Sequence, residues 1–212
     1  MTDQPEARFG APGALLVIIS GPSGVGKDTI IAALRTRDPE EGGDYHYVVT
    51  CTTRSPRPGE IPDASYHFVT QDEFHALHHA GELLEANEVH GNWYGTPRRE
   101  VATALAAGRD VILKIDVQGA QVVKDRVPEA LLVFIVPPSR EALFQRLRQR
   151  KTETADELEL RERNAAIELA RQGDYDQVVV NETGEVDRTA SEIEAIIAQE
   201  KRRHSDRRIR IR

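Results

Sequence analysis

The sequence predicts an α/β fold, a three-layer arrangement with a parallel sheet at its core, on three observations. Leu15 to Ser20 is a continuous apolar run, and Val111–Leu113, Leu131–Val136 and Val178–Val180 repeat the pattern. Runs without polar alternation mark strands covered on both faces. Helical patterns separate them, and strands alternating with helices of about ten to fifteen residues imply crossover units.

The elements follow in order. Residues 1–13 mix Pro, Gly, Ala and charge without period, and predict a loose lead-in. The first strand runs into a helical segment, Thr29 to Arg35. Between residues 45 and 94 the composition changes: seven of the eleven aromatics and six of the seven histidines fall there. Prolines at 56, 58 and 62 interrupt it, and short β-like runs surround one helix. Thr70-x-x-Glu73 opens that helix with the spacing of a capping box. This stretch predicts a small inserted subdomain with its own core. Pro97 to Ala107 then closes on Gly108, a common residue just past a helix end. Ser139 to Arg150 opens after Pro137-Pro138, Ala155 to Ala170 follows, and Asp187 to Lys201 ends the fold.

Composition narrows the class. With 212 residues, 39% hydrophobic and 30% charged, the chain suits one α/β domain with a subdomain. The single cysteine, Cys51, excludes an intramolecular disulfide and suits a reducing, cytoplasmic compartment. The longest apolar run is about a third of a bilayer span, so no membrane helix is expected. The net charge of −7 conceals a basic tail, residues 201–212, with seven Lys/Arg against Asp206. That tail is expected to be a solvated, frayed helix end. An acidic body makes nucleic acid a poor partner. Cys51 reads as a small core residue, and His75, His78 and His79 as a polar helix face. Oligomeric state is not legible in the sequence.

Gly21-Pro22-Ser23-Gly24-Val25-Gly26-Lys27 follows the first strand and precedes a helix. Glycines in this spacing let successive N–H groups curl around a β-phosphate. The helix N-terminus adds its positive end, and Lys27 reaches the β/γ oxygens. This is a P-loop, and it predicts a nucleoside triphosphate as ligand.

Other runs extend the pattern: Thr52-Thr53-Arg54-Ser55-Pro56-Arg57-Pro58-Gly59-Glu60, Tyr66-His67-Phe68, and Glu85. Further on stand Glu88-Val89-His90-Gly91-Asn92-Trp93-Tyr94-Gly95-Thr96-Pro97, Ile115–Ala120, Pro137–Ser139 and Val180-Asn181. With these runs the chain resembles the guanylate kinases from about Leu15 to Lys201. The resemblance implies ATP-dependent phosphorylation of GMP and dGMP on a P-loop core of residues 14–49, 98–147 and 169–201. It implies a GMP-binding subdomain near 50–97 and a helical lid near 148–168, with 1–13 and 202–212 as tails. Arg54 and Arg57, with the hydroxyls of Tyr66 and Tyr94, would hold the GMP phosphate dianion. Glu85 would accept from guanine N1–H and the N2 amine, and Thr50 would donate to O6. Thr96 and Asp116 lie at positions that also approach the base. Asn181 stands at the adenine-contact position, where a turn-forming Asn is the other reading. Lys27, Arg54, Arg150 and Arg161 are the catalytic candidates, neutralising charge on the transferred group. Arg146 lies beside them on its helix face.

Mg²⁺ is the implied cofactor, and here the chain departs from the family. Asp28 follows Lys27 where Ser or Thr usually ligates the metal, and Lys114 replaces an acid two residues before Asp116. Asp28 is expected to be a metal ligand, coupled to Lys114. The rival is a metal held by water and Asp116. Lys151 replaces the lid's usual glycine. Two other functions fit parts of the pattern: a kinase of a small phosphate ester such as ribose 1,5-bisphosphate, or a non-catalytic domain binding phosphorylated partners. The full Thr-Thr-Arg-x-Pro-Arg-x-Gly-Glu run argues against the first, and the intact P-loop against the second.

Overall fold

A computed structural model describes residues 10–37, 45–57, 59–89, 91–148 and 155–211, and the side chains of all of these but 155–157. The apolar runs become the strands of one parallel sheet. β1 (Leu16–Ser20) lies between β7 (Asp110–Lys114) and β8 (Leu131–Val136). β2 (Tyr45–Tyr47) and β9 (Gln177–Val180) form the edges, in the order β2-β7-β1-β8-β9. Alternation along β1 splits its side chains between two cores. Leu16 and Ile18 pack under α3 (Arg98–Ala106) and α4 (Val117–Arg126) with Leu105 and Val123. Val17 and Ile19 pack on the other face with Ile30 and Leu34 of α1 (Lys27–Arg37). Leu143 and Leu147 of α5 (Arg140–Arg148) and Ile193 and Ile197 of α7 (Val186–Arg203) complete that face. The predicted helix Ala155 to Ala170 is α6 (Ala155–Leu169), continued by one 3-10 turn.

The insertion builds a second sheet, ordered β4-β3-β6-β5. Its strands are β3 (Cys51–Thr52), β4 (His67–Phe68), β5 (Leu83–Val89) and β6 (Asn92–Pro97). α2 (Gln71–His79) closes it, with Phe74 fully buried among Cys51, Leu83, Leu77 and Trp93. The capping box is present: Glu73 N–H donates to Thr70 Oγ1, and Thr70 N–H donates to Glu73. His75 stacks edge-on against Trp93.

Four expectations are corrected. Val178–Val180 is not covered on both faces, because β9 is an edge: Val179 is buried while Val178 and Val180 are over 40% exposed. Composition grouped Tyr45–Tyr47 with the insertion, whereas it pairs with β7 at the edge of the core sheet, inside the core range of 14–49 that the resemblance implied. α4 was not anticipated, since Gly119 in its first turn lowers helix propensity. A Cβ at Gly119 would lie 3.0 Å from Glu85 Oε2, so the glycine admits a close approach.

The fourth correction concerns residues 10–13 and the C-terminal tail. Ile209 and Ile211 are buried in the core under α3, and Gly13 N–H donates to the Arg207 carbonyl. Two of its basic residues tie it down, Arg207 pairing with Glu200 and Lys201 with the buried Asp110, while Arg202, Arg203, Arg208 and Arg210 stay exposed. Charge density masked a two-residue apolar alternation. Ile209→Ala is expected to cost about 2–4 kcal/mol of unfolding free energy by urea titration. A loss under about 1 kcal/mol would mean the tail is not part of the core.

Candidate functional site

The P-loop leaves β1 and enters α1, so its glycines turn over the carboxyl end of the sheet. Lys27 folds back into it: Nζ donates to the Gly21 and Pro22 carbonyls at 2.6 and 3.1 Å. Burial pulls the Lys27 ammonium below its ordinary value, and Glu168 does most to oppose that. Asn181 supports the loop from below. Its amide donates to the Val25 carbonyl at 2.8 Å and accepts from Thr189, and the residue is buried. In this structure the Asn181 side chain is engaged with the loop and with Thr189. Arg146 does similar work, donating to the Val25 and Asn181 carbonyls. Both hold the loop's shape.

From α6, Arg161 donates to Ser23 Oγ at 3.0 Å, and Glu168 accepts from the Ser23 N–H at 3.0 Å. Glu168 was missed in the sequence. Its signal was there, because Arg161, Ala165 and Glu168 share one face of α6 at i, i+4 and i+7. Arg148 pairs with Glu162 and is more than half exposed. Arg150 and Lys151 lie outside the described residues.

A cleft of about 810 Å³ adjoins a cavity of about 210 Å³, and both are lined by Asp28, Thr50, Arg57, Tyr66, Lys114 and Arg161. The smaller cavity unites the P-loop, through Gly21, Ser23, Gly24, Gly26 and Lys27, with Glu85, Tyr94 and Asp116. Residues predicted from separate motifs thus share one space. Pro22 and Val25 shape the loop without lining it.

Glu85 is a strongly perturbed carboxylate there. It is 2% exposed. Thr96 Oγ1 donates to its Oε1 and Asn87 Nδ2 to its Oε2, each at 2.7 Å. Burial raises its pKa from 4.5 to about 7 despite these donors, with the Asp116 charge adding to the rise. Thr96 is buried, and its hydroxyl is spent on orienting Glu85 rather than offered to a base. Asp116 caps α4, Oδ1 accepting from the Gln118 and Gly119 N–H groups, while the residue also lines the cavity. Cys51 is buried, and burial pushes its thiol up to about 11, so it is inert near neutrality.

Arg54 differs from expectation. Its fork is closed on Glu60, Nη1 and Nη2 donating at 2.9 and 2.8 Å, and it stacks near Tyr66 and Phe68. Burial disfavours the charge, but Glu60 and Tyr94 outweigh it and raise the pKa. Glu60 also accepts from the Arg57 N–H at 2.7 Å, so Arg54 fixes the loop that presents Arg57.

The metal expectation also meets a partner. Lys114 Nζ closes on Asp28 Oδ1 as an ion pair. The oxygen expected to bind Mg²⁺ already holds an ammonium, and among the described residues no group of three His, Cys, Asp or Glu could hold a metal. The donor set does not fit a protein-held Mg²⁺, because a cation at Oδ1 would face Lys114 directly. The coupling of Asp28 with Lys114 is direct contact.

Among the described residues no helix is long and apolar enough to cross a membrane. Comparison with known proteins agrees with the geometry. The guanylate kinase of Mycobacterium tuberculosis is 46% identical over 182 residues, covering 84% of this chain and 85% of its own. That of Symbiobacterium thermophilum is 45% identical over 193 residues, covering 91% and 88%. The crystal structure of guanylate kinase from Anaplasma phagocytophilum superposes with a TM-score of 0.73 at 29% identity, over 93% and 91% of the two chains. The sequence profile described as guanylate kinase matches residues 14–200. With a P-loop and a buried carboxylate facing one cavity, and that match over most of its length, the chain belongs to the guanylate kinase family.

Proposed function

We propose that the chain transfers the γ-phosphoryl group of ATP to GMP, and to dGMP, yielding ADP with GDP or dGDP in the cytoplasm. The observation that carries this is Glu85, a buried, double-donor-oriented carboxylate in the same cavity as the P-loop. Guanine presents N1–H and the N2 amine side by side, a pair of donors that a carboxylate accepts. Adenine would leave the carboxylate's lone pairs unmatched, at a cost on the order of 2–4 kcal/mol. Thr50, buried and lining the same cavity, supplies the donor for O6.

The second sheet is the acceptor subdomain in this reading, and α6 is the lid. Arg57, Tyr66 and Tyr94 take the GMP phosphate, with Arg54 positioning their loop through Glu60. The P-loop amides, Lys27 and Arg161 take the ATP phosphates. A GMP phosphate oxygen forms a bond to the γ-phosphorus as the bond to the ADP oxygen breaks, and ADP leaves with the electron pair. The reaction asks mainly for alignment and charge neutralisation. Mg²⁺ carried by ATP would supply neutralisation of phosphate charge, with no residue of this chain assigned to hold it. Neither nucleic acid nor membrane has a role.

A coupled kinase assay with GMP, dGMP, AMP, UMP and ribose 1,5-bisphosphate in parallel tests this. GMP is expected to exceed AMP by at least about a hundredfold in kcat/KM. Comparable turnover of AMP or of the ribose ester would overturn the reading, and no turnover of any would favour a binding domain.

A further inference from the structure

We propose that Lys114 is a resident cation at the junction of the two phosphate subsites, supplying in this chain part of the charge that a divalent ion supplies elsewhere. The inference rests on the kinase reading and deepens it. Lys114 ends β7, and its ammonium closes on Asp28, one residue past Lys27 in the first turn of α1. From the opposite side the same ammonium lies over the Tyr66 ring, 4.9 Å from its centroid. One cation thus touches both the element that follows the P-loop and the edge of the acceptor site. It lines the wider cleft and the smaller cavity alike.

The surroundings make that charge effective. The side chain is 22% exposed, so its field is screened less than in bulk water. Burial acts against the ammonium, but Asp28 first and Tyr66 next hold its pKa above the ordinary lysine value. The cation therefore stays charged. A carboxylate alone at residue 28 would repel the polyphosphate that Lys27 attracts. Paired with Lys114 it becomes a holder for a cation, which can exchange the carboxylate for phosphate oxygens when nucleotides enter. Both states are charge-assisted hydrogen bonds. An ammonium is a compact point charge with three rotatable donors, so it can follow the phosphoryl group between subsites.

The test is calorimetric binding of adenosine and guanosine joined through five phosphates, with excess Mg²⁺ and in EDTA. Wild type is expected to keep its affinity in EDTA to within about tenfold. Lys114→Met is expected to lose at least about thirtyfold in EDTA, a charge-assisted contact of about 2 kcal/mol, and distinctly less with Mg²⁺. Lys114→Arg should recover much of the loss. Asp28→Asn keeps the lysine and removes its anchor, and should bind the probe more tightly than wild type without metal. Equal losses for Lys114→Met with and without Mg²⁺, or weaker metal-free binding by Asp28→Asn, would overturn the proposal while leaving the kinase reading intact. Failure of wild type to bind the probe even with Mg²⁺ would overturn both.

Discussion

Glu85→Gln is expected to lower kcat/KM for GMP by about a thousandfold, through loss of charge-assisted acceptance at two guanine donors. Glutamine keeps the shape and the contact with Thr96 but offers one acceptor where guanine needs two. The wild-type pH profile should show the same group. With its pKa near 7 in the free protein, Glu85 protonates as pH falls below neutrality, and kcat/KM for GMP should fall with it. Stability runs the other way. A carboxyl whose pKa is raised on folding contributes stability that is full below about 4.5 and is lost as pH rises through about 7. For this group the loss is on the order of 3 kcal/mol. Urea midpoints should therefore decline between pH 5 and 8 in wild type and decline less in Glu85→Gln. A flat activity profile across pH 6–8, paired with unchanged selectivity in the variant, would remove Glu85 from the base site.

Gly26→Ala is expected to raise the KM for ATP at least about a hundredfold, with GMP affinity changed by less than about threefold. Gly26 has φ of +104°, and a Cβ there would lie 2.5 Å from Asn181 Nδ2. That amide cannot easily yield, because it is buried and holds the Val25 carbonyl and the Thr189 hydroxyl. The methyl group must either eject Asn181 or flatten the curl that presents the loop's N–H groups. Adding Asn181→Ala should relieve the clash but not the backbone strain, so the double variant should recover only part of the loss. Calorimetry with GMP separates this from unfolding, since the cavity draws Thr50, Lys114 and Asp116 together with Glu85 and an unfolded variant would bind no GMP. An ATP KM within about fivefold of wild type would show that the loop tolerates a different path.

Much of this molecule was legible before its structure. Apolar runs named β1, β7 and β8 because burial on two faces leaves no polar alternation to confuse them, and they named β9 too without revealing that it is an edge. The P-loop announced itself by strand, glycine spacing and lysine, all of which act over a few residues. The capping box did so as well, since Thr70 and Glu73 find each other within one helical turn. Motifs assigned most of the cavity's residues, Glu85, Arg57, Tyr66 and Lys27 among them. What the tertiary structure alone decided is which distant group each charge meets. Arg54 carries an open fork in the sequence and a closed one beside Glu60. Asp28 looked like a metal ligand and holds Lys114, 86 residues away. Glu168 reaches Ser23 across 145 residues of chain, and Ile209 and Ile211 make the end of a charged tail part of the core. Local pattern reports forces between neighbours in the chain. Charge pairing and the closing of a core depend on neighbours in space, and only the folded backbone chooses those.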